Sequence, residues 1–219
     1  MMQNQQPMNN GQTHMNMHTG QVPQQMNHGG HEVFDVHELL AGTINTLDQY
    51  MMFRQYVQDP ELLDILDRQY QFMQTEYNTM VETFKTGQDP TVPTQSYKMT
   101  QSNDFIYGLK PSQPKKPNQS LADIKDQGIS GHMLGLVKSG AALKAMTACE
   151  MTNPVMRRVV ADSIPNCIEM AYEISLYQNK HHYYQVPQLA GQDMQQMLNA
   201  YAPAQGQPQM PQPRTNNMH

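Results

Sequence analysis

Thr152-Asn153-Pro154 is the stretch that decides the fold. Asp59-Pro60 has the same pattern, a proline that directly follows Asn or Asp. The residue before a proline avoids the helical conformation, so each pair ends the helix before it. Asn and Asp are favoured helix N-caps and proline is favoured at the first helical position, so each pair also begins a new helix. A turn this short makes its flanking helices antiparallel. The sequence therefore predicts two helical hairpins.

Apolar residues spaced three and four apart mark four helical segments, one on each side of each turn. We predict helices over residues 36–57, 60–86, 121–151 and 154–184. Their apolar stripes are wide enough to face a shared core. The predicted core residues are Leu40, Ile44, Leu47, Met51, Leu63, Leu66, Tyr70, Met73, Tyr77, Met80, Phe84, Leu121, Ile124, Ile129, Met133, Leu136, Leu143, Met146, Val155, Val159, Val160, Ile164, Ile168, Ala171 and Ile174.

Polar residues and glycine mark further helix ends. Asp35 and Ser120 are predicted N-caps, because each is followed three residues later by an acid, Glu38 or Asp123, as in a capping box. Gly87 suits the left-handed position that follows a helix.

Several residues inside the predicted helices disfavour helix. Gly128, Gly131, Gly135 and Gly140 each cost about 1 kcal/mol relative to alanine. They indicate either the close approach of another helix or a break in this one. Pro165 should kink the fourth helix.

Residues 87–120 form a proline-rich connection that is too long for a simple turn. It can run the length of a helix and return the chain to the end at which the second helix began. We therefore predict an all-α, ferritin-like four-helix bundle over residues 34–190, made of two hairpins joined by a long crossover. A simple up-down bundle with an irregular excursion is the alternative.

Both ends of the chain are low in complexity. Residues 1–33 are rich in Met, Gln, Asn and His, and residues 191–219 are rich in Gln, Pro and Met. Such segments bury too little apolar surface to offset their ordering entropy, so we predict disordered tails. A short amphipathic turn around Met194, Met197 and Leu198 is the one ordered feature expected there.

Composition argues against several classes of function. The net charge of −5 gives no electrostatic reason to bind nucleic acid. No apolar run approaches the roughly 20 residues of a membrane span, and no charged leader precedes an apolar stretch, so we predict neither a span nor a signal peptide. Cys149 and Cys167 are predicted to be buried small hydrophobic residues rather than metal ligands.

A ferritin-like layout raises the question of a di-metal centre, which needs two Glu-x-x-His motifs and two further glutamates. Glu76 and Glu169 lie on suitable helices, but no histidine follows either at the required position. The segment 31–37 lacks the spacing of a zinc-binding His-Glu-x-x-His motif. We therefore predict no catalytic, cofactor-binding or metal-binding residues, and no enzyme activity.

Glutamine, lysine and tyrosine offer a different chemistry, because they can be cross-linked. Tyr177, Lys180, Tyr183 and Tyr184 lie together near the end of the fourth helix. The alternative interpretation places Tyr177 and Tyr184 in or beside the core, with Lys180 favouring the helix C-terminus.

The sequence resembles the spore coat protein F family of Bacillus-type spore formers. The resemblance lies in residues 123–125, 149–157, 168–173 and 184–189, including the Thr-Asn-Pro turn and a Gln-Val-Pro ending. It implies a ferritin-like structural protein, made in the mother-cell cytoplasm and deposited in the spore coat, that binds other spore coat proteins without catalysis. The Gly- and Met-rich third helix could also form a homo-oligomer. A ferritin-like metal-binding or redox protein is the alternative.

Overall fold

The computed structural model describes residues 27–210, and helices are the regular elements of this part of the chain. The predicted all-α class is confirmed. Residues 1–26 and 211–219, where most of the predicted disorder falls, lie outside the described residues. The five α-helices are Gly30–Arg54 (α1), Pro60–Thr86 (α2), Asp126–Glu150 (α3), Pro154–Lys180 (α4) and Gly191–Leu198 (α5).

The first four helices form a bundle of two hairpins. α1 packs on α2 and α3, and α4 packs on the same two helices. The end of α4 meets the start of α2, where the Tyr177 hydroxyl donates to Asp59. The start of α4 meets the end of α2, where Asn153 donates to the carbonyl of Gly87. Neighbouring helices are therefore antiparallel, and the predicted arrangement of two hairpins and a crossover is confirmed rather than the simple up-down alternative.

The crossover lies along α4 as a strap. The Thr94 hydroxyl donates to Asp162, the amide of Tyr97 donates to Asn166, and the amide of Ile106 donates to Asn179. The amide of Gly108 donates to the carbonyl of Val186. In these pairs, the residue numbers of the strap and those of α4 increase together. The strap therefore runs in the same direction as α4 and returns the chain to the start of α3.

α1 begins six residues earlier than predicted. Gly30–Val33, which we assigned to the disordered tail, are helical, and Asp35 lies inside the helix instead of capping it. The amide of Gly29 donates to the Thr152 hydroxyl over 2.8 Å, and a Cβ at Gly29 would lie 3.0 Å from the Cγ2 atom of Thr152. Contact with the 152–153 turn therefore fixes the start of α1, and no local cap is needed.

α3 begins at Asp126, five residues later than predicted. The predicted capping box of Ser120 and Asp123 is present, but it caps a single 3₁₀ turn, Leu121–Asp123. The helix then continues without interruption to Glu150, so the glycines do not break it. Gly140 approaches the Cys167 sulfur, whereas Gly128 and Gly135 face open space.

α4 continues through Pro165 and ends at Lys180, four residues earlier than predicted. His182 adopts φ +57°, a left-handed conformation that stops the helix. In the tail, Gly191–Leu198 are helical, where we predicted disorder apart from a short amphipathic turn around Met194, Met197 and Leu198. None of the described helices is both long enough and apolar enough to cross a membrane.

The core differs from the predicted stripes mainly in α1. This helix buries Val36, Leu39, Leu47 and Tyr50, together with Glu32. Tyrosine and glutamate can be buried here because their polar atoms find partners, which apolar periodicity does not report. Five predicted core residues are exposed instead: Ile44, Met51, Leu121, Met146 and Ile168.

Candidate functional site

A fully buried carboxylate, Glu173, lies at the centre of the bundle. It accepts hydrogen bonds from Arg68 Nη2 over 2.8 Å, from Gln69 Nε2 over 3.1 Å and from the amide of Thr100 over 3.1 Å. The Tyr97 hydroxyl donates to it over 2.5 Å. One side chain of α4 therefore binds α2 and the strap together.

The network extends to α1 through Tyr50, whose hydroxyl donates to Gln69 Oε1 over 2.9 Å. Burial raises the pKa of Tyr50 well above its ordinary value, so this hydroxyl stays protonated. Burial lowers the pKa of Arg68, but its bonds to Glu173 and Asp64 outweigh that effect and raise it. Arg68 therefore remains charged and neutralises Glu173 inside the protein.

A second ionic network lies between α2, α3 and α4. Lys144 Nζ donates to Glu76 Oε2 over 3.0 Å, and Asn166 Nδ2 donates to Glu76 Oε1 over 2.7 Å. Cys167 lies beside Lys144, and a cavity of about 150 Å³ adjoins the group. Burial lowers the pKa of Lys144, but the partnership with Glu76 outweighs burial and raises it. Burial raises the pKa of Cys167, so its thiol is a poor nucleophile at neutral pH.

These networks do not fit a di-metal centre. Glu76, which we considered as a ligand, is bound to Lys144, and the cation of Arg68 takes the corresponding role at Glu173. Glu169, the other glutamate considered, belongs to neither network. In the part of the chain that the structure describes, no three His, Cys, Asp or Glu side chains come together to hold a metal ion. Lys144 and Arg68 therefore occupy the positions beside these carboxylates that metal ions would need.

The second fully buried carboxylate, Glu32, organises the 152–153 turn. Glu32 of α1 accepts hydrogen bonds from the amides of Thr152 and Asn153, over 2.7 and 2.9 Å, and from the Thr152 hydroxyl. His28 Nδ1 donates to its other oxygen over 2.5 Å. Burial alone raises the pKa of Glu32, but these hydrogen bonds outweigh burial and lower it.

Asn153 completes this end of the bundle. Its side-chain oxygen accepts from the amides of Val155 and Met156, both over 3.0 Å, and so caps α4. Its side-chain nitrogen donates to the carbonyl of Gly87 over 3.2 Å. One buried amide therefore binds the start of α4 to the end of α2.

The structure separates the four residues considered for cross-linking. Tyr177 is buried and donates to Asp59 Oδ2, and Lys180 forms an ion pair with Glu61 over 2.7 Å. Tyr183 is half-buried, and Tyr184 is exposed. The alternative interpretation therefore holds for Tyr177, whereas Tyr184 lies at the surface. Cys167 is buried as predicted, but Cys149 is exposed.

Sequence reasoning missed the charged and polar residues of the interior. One signal could have located some of them: Glu32 lies four residues before Val36, and Lys144 lies seven after Val137, so both are in register with buried apolar residues. Glu173 likewise follows the buried Met170 by three residues. A charged side chain in an apolar register indicates a buried partner.

Apolar side chains also remain on the surface near the end of α1. A groove opens there between α1 and the start of α3, and Met52, Phe53, Leu121 and Ile124 line it. The ring of Phe53 stacks on that of His132, with 5.7 Å between their centroids. Met52 and Leu121 are 51% and 70% exposed. Exposed apolar side chains rimmed by polar ones, here Gln49, Asn118 and Ser120, are typical of a surface that binds another protein.

Comparison with known proteins places the chain in a family. The Coat F domain model matches residues 125–187. The spore coat protein F-like protein YhcQ of Bacillus subtilis (strain 168) is 56% identical over 179 residues, which cover 82% of each chain. A solved structure of a candidate spore coat protein from Bacillus halodurans C-125 has a TM-score of 0.55 at 18% identity, covering 78% of this chain and 99% of the other, and supports the fold alone. The chain therefore belongs to the spore coat protein F family.

Proposed function

We propose that this protein is a structural component of the spore coat that acts through protein–protein assembly, without catalysis. A place in the spore coat follows from family membership. The observation that supports assembly without catalysis is where the charged and apolar side chains lie. Its buried charges bind helices to one another, while uncovered apolar side chains lie at the surface.

The interior supports a structural role. Glu32 and Glu173, the two fully buried carboxylates of the described residues, each accept four hydrogen bonds from groups of the same chain. A carboxylate that already accepts four hydrogen bonds from its own chain is poorly placed to accept a proton from a substrate. Of the other buried side chains, Lys144 is ion-paired and Cys167 is held as a thiol.

The surface supports assembly. Besides the groove residues Met52 and Leu121, α5 leaves Met197 and Leu198 exposed, at 62% and 68%. Covering such side chains removes apolar area from water, which is the main favourable contribution to protein association. The metal-binding or redox alternative has less support, because Lys144 and Arg68 already neutralise the carboxylates it would require.

A fluorescent fusion of the full chain, followed through sporulation, tests the proposal. We expect the signal to surround the forespore and to remain with purified spores after washing, with the fluorescent protein alone as the control. A diffuse signal with none at the forespore would contradict a coat role. Metal analysis of the purified protein tests the other part: stoichiometric iron or manganese that is lost in the Glu76→Gln variant would favour the metal-binding alternative.

A further inference from the structure

α5 is an amphipathic helix that its own chain leaves uncovered. Met194, Met197 and Leu198 follow one another at spacings of three and one, which places them on one face, and the apolar ring of Tyr201 follows three residues after the helix ends. Every residue from 187 to 210 is exposed, and Tyr201 is 90% exposed. The helix is therefore an arm that extends from the bundle with an apolar face open to solvent.

An uncovered helix of this length needs a partner. α5 has eight residues, whereas isolated helices shorter than about 12–15 residues are marginal in water. Most of the stability of a short helix comes from packing its apolar face against something else. The sequence pattern of α5 therefore indicates a docked state in which that face is covered.

The groove between α1 and α3 has the chemistry to receive this face. Its walls include apolar side chains, of which Met52 and Leu121 are largely exposed, and polar side chains of α1 and of residues 118–120 lie beside them. Gly128 lies in its lining, and no atom occupies the space where its Cβ would be. A glycine at this position lets the backbone of a docked helix approach closely. Methionines on both sides adapt their shape to the contact.

The connection to α5 favours a groove on a second copy. The last residue that the strap holds is Val186, on the side where the strap lies along α4. The five steps from Val186 to Gly191 span at most about 17 Å. The groove lies between α1 and the start of α3, and the strap takes ten residues, from Gly108 beside Val186 to Asn118, to reach it. Docking within one copy would need a longer connection.

We propose that α5 of one copy docks in the groove between α1 and α3 of a second copy of this chain. The proposal rests on the assembly function proposed above and names its partner. The four apolar side chains of one arm bury roughly 500 Å² when covered. Two reciprocal junctions, counted on both sides, bury about 2,000 Å², which is enough for a stable dimer. Arms passed on from copy to copy would instead build an open chain.

Light scattering of the full chain after size-exclusion chromatography tests this assembly. We expect dimers or larger species for the natural sequence, and monomers for Met197→Asp in the arm and for Leu121→Asp in the groove. Both residues are exposed, so the fold should persist, as circular dichroism would verify. The matched controls are Gln196→Asp, on the opposite face of α5, and Phe34→Asp, an exposed apolar residue at the other end of the bundle.

Mixing the two defective variants separates exchange between copies from docking within one copy. The Leu121→Asp chain keeps its arm and the Met197→Asp chain keeps its groove, so an equimolar mixture should form one intact junction and recover dimers. A natural chain that is monomeric at every concentration, or a mixture that stays monomeric, overturns the proposal. If the monomeric variants still reach the spore coat, the coat function stands independently, whereas a natural chain absent from the coat contradicts that function.

Discussion

The two Asx-Pro turns lie at opposite ends of the bundle and begin their helices with the same bonds, yet their surroundings differ. Asp59 is half-buried and accepts from the amide of Glu61 and from the Tyr177 hydroxyl. Asn153 is only 2% exposed, and it both accepts from the start of α4 and donates to Gly87 at the end of α2. The turn at Asp59 needs only an acceptor, whereas the turn at Asn153 needs a donor as well.

The difference explains which residue stands at each turn. Asparagine and aspartate cap helices about equally well, so capping alone does not choose between them. Only the amide side chain can donate to a carbonyl, and the backbone N–H of the same residue donates to the buried carboxylate of Glu32, so a second negative charge at residue 153 is unfavourable. Asp59 has no such neighbour and can be charged, which the positive end of α2 favours. Exchanging the two residues should therefore have unequal effects.

Asn153→Asp should have the largest effect on stability. The substitution places a carboxylate in a buried site next to Glu32 and leaves the carbonyl of Gly87 without its donor. Leaving a buried charge uncompensated costs about 3–5 kcal/mol. Denaturant unfolding at neutral pH should show a loss of this size.

The pH dependence of this variant identifies the cause. Two neighbouring carboxylates cannot both be ionised cheaply, so one of them should take up a proton well above its ordinary pKa. The deficit should therefore shrink between about pH 7 and pH 5. A loss that is small, or that is the same at both pH values, would contradict the role given to burial at this turn.

Glu32→Gln should come next, with a loss of about 2 kcal/mol, because several hydrogen bonds lose a charged acceptor. The pKa of Glu32 is lowered below the ordinary value of 4.5, so the unfolded chain takes up the proton first as the pH falls. Its contribution is therefore complete above about pH 4.5 and is lost as the pH falls through the lower, folded-state pKa.

The acid limb of the stability curve checks this assignment. Urea unfolding of the natural chain below pH 4.5 should show stability falling more steeply than in Glu32→Gln, since the variant has no carboxyl group to titrate there. The exposed residue Glu38, on the same helix, provides a matched Glu38→Gln control that should leave the slope unchanged. Parallel curves for all three proteins would show that the turn does not depend on an ionised Glu32.

The same two turns show how far the sequence could predict this molecule. A proline preceded by Asn or Asp has a local effect on the backbone, so the hairpins and their order could be read directly. Glu32 acts across 121 residues on Asn153, and no local pattern encodes such a contact. The start of α1 was placed six residues too late for that reason, since its position depends on the far turn.

The interior was harder to predict than the fold. Periodicity finds apolar side chains, but here Glu173, Lys144 and Gln69 lie at buried positions because partners from other elements satisfy them. Tyr97, in the irregular strap, is buried by the same network and carries no periodic signal at all. α5 lay within a segment whose composition indicated disorder, and only the spacing of Met194, Met197 and Leu198 predicted a helical turn there.

Tyr177→Phe should have a smaller effect, about 1 kcal/mol, because it removes one hydrogen bond to Asp59 and leaves the ring in place. Burial, together with the bond to Asp59, raises the pKa of Tyr177 above its ordinary value of 10.0. The natural chain should therefore lose stability as the pH rises above about 10, and the variant should lose less. Tyr184→Phe is the matched control, since Tyr184 lies near the same helix end with its side chain exposed. Equal losses of stability in both variants would show that the Tyr177–Asp59 hydrogen bond does not contribute.

Asp59→Asn should have the smallest effect, below about 1 kcal/mol, although it is the reverse of the most damaging exchange. The new oxygen can still accept from the amide of Glu61, and the Tyr177 hydroxyl can rotate to accept from the new nitrogen. What is lost is a negative charge at the start of α2, which is worth about 0.3–1 kcal/mol and is screened by salt. Thermal unfolding at low and high salt should therefore show a small difference that decreases as salt is added. A loss as large as that of Asn153→Asp would mean that the charge at residue 59 matters as much as the donor at residue 153, and the distinction between the two turns would fail.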